Sequence, residues 1–134
     1  MTSLSITIDD REVKAVLKRL NLRSGRGLDA VEKALDSMAF QVQANAAMKQ
    51  IIRGGKGPPH PTRLTSRTGT LRRSIRVNRF SPLARDVGTD LVYGAVHELH
   101  PTRPRPFLSP ALEAEAPKFD DILRRELQRV IDRA

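Results

Sequence analysis

Leu4, Ile6 and Ile8 alternate with Ser3, Ser5, Thr7 and Asp9, a period of two that predicts a short strand with one buried face. Asp9 or Asp10 can then accept from the free amides of a helix start. Val13, Val16, Leu17 and Leu20 follow at helical spacing and predict a helix of about three turns. Ser24-Gly25-Arg26-Gly27 is expected to end it, because glycine supplies backbone freedom at little steric cost. Leu28, Val31, Leu35, Met38 and Val42 form one stripe, widened by Ala34, Ala39, Ala46 and Ala47. That stripe predicts the longest element, a helix over about 28–52, whose alanines allow another element to approach closely.

Three glycines and three prolines fall within residues 54–61, so neither a helix nor a central strand continues there. A flexible basic loop is predicted over about 53–68, carrying Arg53, Lys56, Arg63 and Arg67. Thr68-Gly69-Thr70-Leu71-Arg72-Arg73 predicts a turn leading into one helical turn. Ile75 and Val77 alternate with Arg76 and Asn78, Ser81-Pro82-Leu83 reverses the chain, and 84–87 returns, which together predict a hairpin. Residues 91–99 suit a short helix presenting Val92, Tyr93, Val96 and Leu99. Pro101, Pro104 and Pro106 make 100–106 an extended linker. A helix begins at Pro106 or Phe107, Pro117 breaks it or opens a new first turn, and Phe119, Ile122, Leu123, Leu127, Val130 and Ile131 line a last helical face. The predicted fold is a single α+β domain: a small antiparallel sheet with a long central helix, a short helix and C-terminal helices.

Composition narrows the function. The chain has 134 residues, no tryptophan, one tyrosine and four phenylalanines, so its core must be mostly aliphatic. No apolar run is long enough for a transmembrane helix, no export signal is expected at the N-terminus, and the absence of cysteine excludes disulfides and thiolate metal sites. The net charge of +9 is unevenly spread: residues 49–85 hold two lysines and eight arginines with no Asp or Glu. A field of one sign this dense attracts polyanions, nucleic acid first among them. A solvated basic loop without a specific ligand is the plainer alternative.

Candidate chemistry is sparse. His97 and His100 stand three apart rather than the four of the zinc-protease helix, and His60 lies in the loop. Gly54-Gly55-Lys56-Gly57 lacks the spacing of a phosphate-binding loop, and no serine sits in a nucleophile elbow. The residues suggest neither an enzyme, a metal nor a cofactor. Arg72, Arg73, Arg76 and Arg79 are the candidates for contact with DNA or a partner, with a solvated face or ion pairs as the alternative.

Three segments carry a family signature: Thr68-Gly69-Thr70-Leu71-Arg72-Arg73-Ser74-Ile75; Val87-Gly88-Thr89 with Val92-Tyr93-Gly94-Ala95-Val96-His97-Glu98; and Arg105-Pro106-Phe107-Leu108-Ser109-Pro110-Ala111-Leu112. In this order and spacing the chain resembles the tail-completion or minor tail proteins of long-tailed bacteriophages, also called virion morphogenesis or neck proteins. The resemblance covers about residue 28 to the C-terminus. The family usually carries a glycine, often Phe-Gly, just after the Val-His-Glu position. Here Leu99-His100-Pro101 stands instead, with a shortened linker, so that loop is expected to pack differently.

The resemblance implies a non-enzymatic structural protein of the virion neck or tail, assembled in the host cytoplasm. It would form a homo-oligomeric ring, commonly a hexamer, that contacts the tail tube and the head connector or another neck protein and joins the tail to the DNA-filled head. A closed ring needs two different faces that meet around the circle. The helix over 28–52 and the strand at 4–8 are the candidates, with Leu35, Met38, Val42, Tyr93 and Phe107 as expected subunit contacts. Arg72, Arg73, Arg76 and Arg79 would face the lumen or a partner, and the loop with Arg53, Lys56, Arg63 and Arg67 would order on docking. The alternative is a small basic nucleic-acid-binding protein outside any virion.

Overall fold

The computed structural model describes residues 2–19, 24–53, 64–66, 69–91, 94, 98–99, 102 and 106–133. Strand β1 (Thr2–Thr7) leads into helix α1 (Asp10–Arg19). The Asp9 carboxylate accepts the Arg11 amide at 2.9 Å, as its position before the apolar repeat predicts. Helix α2 (Ser24–Asn45) runs on through a π-helical turn (Ala46–Gln50) into β2 (Ile51–Arg53). Strand β3 (Leu64–Ser66), helix α3 (Thr70–Ser74) and the hairpin β4 (Arg76–Ser81) and β5 (Ala84–Thr89) follow. Helix α4 (Ser109–Glu115), a 3-10 turn (Ala116–Lys118) and helix α5 (Phe119–Asp132) close the described chain.

The fold is the α+β arrangement that the sequence predicts. β1, β5 and β4 form an antiparallel sheet in that order. The register sets Leu4, Val87 and Val77 in one row and Ile6, Arg85 and Arg79 in another. Strand alternation puts both rows on one face, and that face meets α2. Ala34, Ala39 and Ala46 are fully buried, and their small side chains let α2 lie close to its neighbours. Met38, Ala39, Val42, Ile51, Leu71, Ile75, Val87, Phe107, Leu108 and Ala111 form the main core. A second cluster of Val13, Leu17, Val31 and Leu83 joins α1, α2 and the hairpin turn, with Leu123 and Leu127 of α5 packed against it.

Several expectations are corrected. Gly25 and Gly27 lie in the first turn of α2 rather than ending α1. A Cβ at Gly27 would run into the Leu17 side chain, so this glycine serves the close crossing of α1 over α2. The long helix stops short of residue 52. Where its last turn widens into the π-helical form, Asn45 donates to Glu115 at 2.9 Å and accepts from Gln50 at 2.8 Å. The β-branched pair Ile51-Ile52, favourable in strands, then pairs in parallel with Leu64 and Thr65. The segment expected to be loop over about 53–68 is therefore bracketed by strand pairing of Ile51–Arg53 with Leu64–Ser66. The last helical face also ends early: Ile131 is exposed, one turn beyond the part of α5 that α1 and α2 cover. Among the described residues, no helix is long and apolar enough to cross a membrane.

Candidate functional site

The described residues of the three segments, 69–75, 87–89 with 94 and 98, and 106–112, fold into one joint. Gly69 adopts φ +77°, the left-handed region that disfavours side chains, and opens α3. The Arg73 amide donates to its carbonyl at 3.0 Å. At the end of α3 the Ser74 hydroxyl donates to the Leu71 carbonyl at 2.6 Å. That spends its single hydrogen, so the 2.6 Å contact between Ser74 and Thr89 has Thr89 as donor. Thr89 Oγ1 in turn accepts the Leu91 amide at 3.1 Å. The first and second segments are thus joined by a directional chain of hydrogen bonds, which polarise one another in a half-buried setting.

Gly94 sits where all three meet. A Cβ there would lie 2.5 Å from Thr89 Cγ2, 3.3 Å from Leu71 Cδ1 and 3.7 Å from the Phe107 ring. Gly94→Ala should therefore destabilise the protein by about 1–3 kcal/mol through overpacking, read as a lower urea midpoint at unchanged slope. An unchanged midpoint would show that the three segments are not in this contact.

Glu98 locks the third segment. Its Oε2 accepts the amides of Phe107 at 2.7 Å and Leu108 at 3.1 Å, while Oε1 accepts the Ser109 amide at 2.9 Å and the Ser109 hydroxyl at 2.7 Å. The start of α4 would otherwise leave these amides unpaired inside the protein, because the first turn of a helix has no internal acceptors for them. Phe107 and Leu108 are fully buried and Glu98 nearly so. The carboxylate sits at the start of α4 and spends both oxygens on these donors. Sequence reasoning assigned Glu98 no such role. The visible signal was an acid about ten residues before a Pro-Phe-Leu-Ser-Pro helix start.

The arginines expected to contact DNA or a partner are largely turned onto their own chain. Arg72 Nη2 donates to the Ile51 carbonyl at 3.0 Å, while its buried Nε has no hydrogen-bond partner among the described residues. Arg76 pairs with Asp90 on the surface. Arg79 donates to Glu32 Oε1 at 2.7 Å. The Arg73 side chain is exposed and passes over Gly69. Arg53 closes β2, and Lys56, Arg63 and Arg67 lie outside the described residues.

Arg85, which sequence reasoning passed over, is the arginine most deeply built in, at 1% exposure. Its Nε meets Asp36 at 2.5 Å, its Nη2 lies 3.6 Å from Glu32, and its Nη1 donates to the carbonyls of Ser81, Pro82 and Ala84. It clamps the hairpin turn to α2. The inward row shared with Ile6, facing two acids four apart on α2, was the available signal.

The expected subunit contacts need correction. Leu35, Met38, Val42 and Phe107 are buried in the chain's own core, because the stripe they form is consumed by the sheet and α4. They offer nothing to a neighbour. On the outer side of α2 the apolar residues are Phe40, 57% exposed, and, in the π-helical turn, Met48, 77% exposed. Tyr93, His60, His97 and His100 lie outside the described residues. Among the described residues, no group of three His, Cys, Asp or Glu side chains is placed to hold a metal ion.

One titratable group makes the fold sensitive to acid. Buried Glu115 accepts from Asn45 and pairs with Lys118 at 3.0 Å. The Asn45 hydrogen bond, helped by Lys118 and Lys49 and opposed by burial, holds its pKa below the ordinary 4.5. A depressed carboxylate contributes stability that is fully present above its unfolded pKa and is lost as pH falls through the folded one. Glu115→Gln should therefore flatten the loss of stability below about pH 4.5, measured by urea titrations at stepped pH. A parallel decline in both proteins would contradict this role.

Compared with known proteins, the chain matches no family model, no curated protein and no solved structure.

Proposed function

We propose that this chain is a structural subunit of a bacteriophage virion, forming a ring in the neck or at the tail end that joins the tail tube to the DNA-filled head. The observation that carries the reading is the joint itself. Three signature segments spread over residues 68–112 meet at Gly94, Thr89 and Phe107, and Glu98 fastens the last to the second. Residues that resemble a tail-completion signature thus serve one architectural purpose, holding α3, the hairpin and α4 in fixed relation. A rigid body of this kind suits a subunit whose surfaces must repeat around a closed circle.

The arginines fit this reading in a revised way. Arg72, Arg76 and Arg79 spend hydrogen bonds or ion pairs within the chain, so the excess positive charge acts as a field rather than as a row of dedicated DNA ligands.

Removing the gene from its phage should leave filled heads and separate tails, with joining restored by the purified protein. Normal joining without it would overturn the proposal. The rival reading, a basic nucleic-acid-binding protein, has a different signature: a monomer that shifts duplex DNA at sub-micromolar concentration with a steep salt dependence.

A further inference from the structure

We infer that the cleft between α2 and α5 binds a small phosphate monoester, a site that stands independently of the ring reading. Arg26, Asp29, Ala30 and Lys33 of α2 form one wall. Glu126, Arg129, Val130 and Arg133, at the end of α5, form the other. Each set follows the i, i+3, i+4, i+7 spacing that lines one side of a helix. The cleft holds about 400 Å³, within the range of small-molecule sites. Ala30 is buried and Val130 half-buried, so the charged side chains rise from two helices packed together.

Four cations and two acids line this cleft, which leaves two positive charges in surplus. Glu126 is already taken by Arg129 at 3.0 Å. Asp132, beside Arg133 in sequence, accepts instead from Gln128 at 2.8 Å. Among the described residues, Arg26, Lys33 and Arg133 have no hydrogen bond or ion pair, although Asp29 stands between Arg26 and Lys33 on the same wall. Arg26 also occupies the first turn of α2, where no acid accompanies it. That is the positive end of the helix dipole, at which a cation is disfavoured and an anion favoured.

An anion held here answers the three free cations and the start of α2 together. A carboxylate or a phosphodiester brings one negative charge. A phosphate monoester brings about two at neutral pH, which matches the surplus. Arginine forks and a lysine ammonium are the groups that hold phosphate oxygens. Ala30 and Val130 give the organic part of the ester an apolar contact.

The test titrates the labelled full chain at low salt with phenyl phosphate, dimethyl phosphate and acetate at matched ionic strength, read by backbone amide chemical shifts. Phenyl phosphate should saturate, shift residues lining the two walls, and bind at least about threefold more tightly than the other two. Arg26→Gln with Lys33→Gln should weaken it by about tenfold, and Asp29→Asn should tighten it by about threefold. Arg124→Gln with Arg125→Gln removes the same charge from exposed positions of α5 outside the cleft and should change binding little. Thermal melts check that each variant folds. Binding of acetate or dimethyl phosphate as tight as that of phenyl phosphate, equal losses in the two double variants, or no saturable shift would each overturn the site. A phosphoserine peptide that binds more tightly than phenyl phosphate would overturn the assignment to a small molecule.

Discussion

Glu98→Ala should cost the protein about 3 kcal/mol or more, because three backbone amides and a hydroxyl lose a charged acceptor in a buried site. Hydrogen bonds to a charged group contribute about 1.5–3 kcal/mol each, and stranded buried donors add their own desolvation penalty. The four contacts at 2.7–3.1 Å share one carboxylate, so their losses do not add in full. Against a total stability of about 5–15 kcal/mol, this is enough to threaten folding at body temperature. Glu98→Gln is the informative partner variant. It keeps shape and one acceptor oxygen but turns an NH2 group towards donors on the other side. It should lie between wild type and alanine in urea denaturation. A glutamine variant as stable as wild type would mean that the charge and the second oxygen do nothing at the start of α4.

The second large effect is at Arg85. Arg85→Met preserves bulk but removes every donor to Asp36, Glu32 and the three turn carbonyls. Breaking a buried pair by deleting one partner typically costs about 3–5 kcal/mol. Asp36 is half exposed, so water can recover part of its solvation, and a loss of about 3 kcal/mol is expected here. The diagnostic step adds Asp36→Asn to Arg85→Met, which removes the charge that loses this partner and should return part of the stability, while Glu32 keeps its pair with Arg79. If the double variant is no more stable than the single one, the destabilisation comes from the turn carbonyls rather than from Asp36. If Arg85→Met is neutral, the clamp between hairpin and α2 is not a source of stability at all.

How much of this was legible in the sequence differs by kind of feature. Period-two alternation at Leu4, Ile6 and Ile8 and at Ile75 and Val77 located strands, because which side faces the core is written residue by residue. The stripe from Leu28 to Val42 located α2 for the same reason. A stripe says that a face is buried and not what buries it, which is why Leu35, Met38 and Val42 were expected at a neighbour and lie instead against the chain's own sheet and α4. The end of α2 was hidden because the partner Asn45 finds there, Glu115, lies seventy residues away. Gly25 and Gly27 misled because glycine marks a stop and a close crossing equally well.

The candidate joint was legible as three recurring segments and illegible as one site. Nothing local joins Thr89 to Ser74, or Glu98 to Phe107, since those contacts exist only after the hairpin and α4 are placed. Charge was the least transparent signal of all. A run of arginines without acids suggests a bound polyanion, yet Arg79 and Arg85 find their acids on α2, more than forty residues earlier.

The most direct measurement is the mass of the purified full chain in solution by light scattering, across concentration and with tail-tube protein present. A subunit of a closed ring should give one discrete species at about six times the 15.0 kDa chain mass, alone or on meeting the tube. A 15.0 kDa monomer at every concentration, with the tube protein present as well as absent, would contradict a role in joining heads to tails.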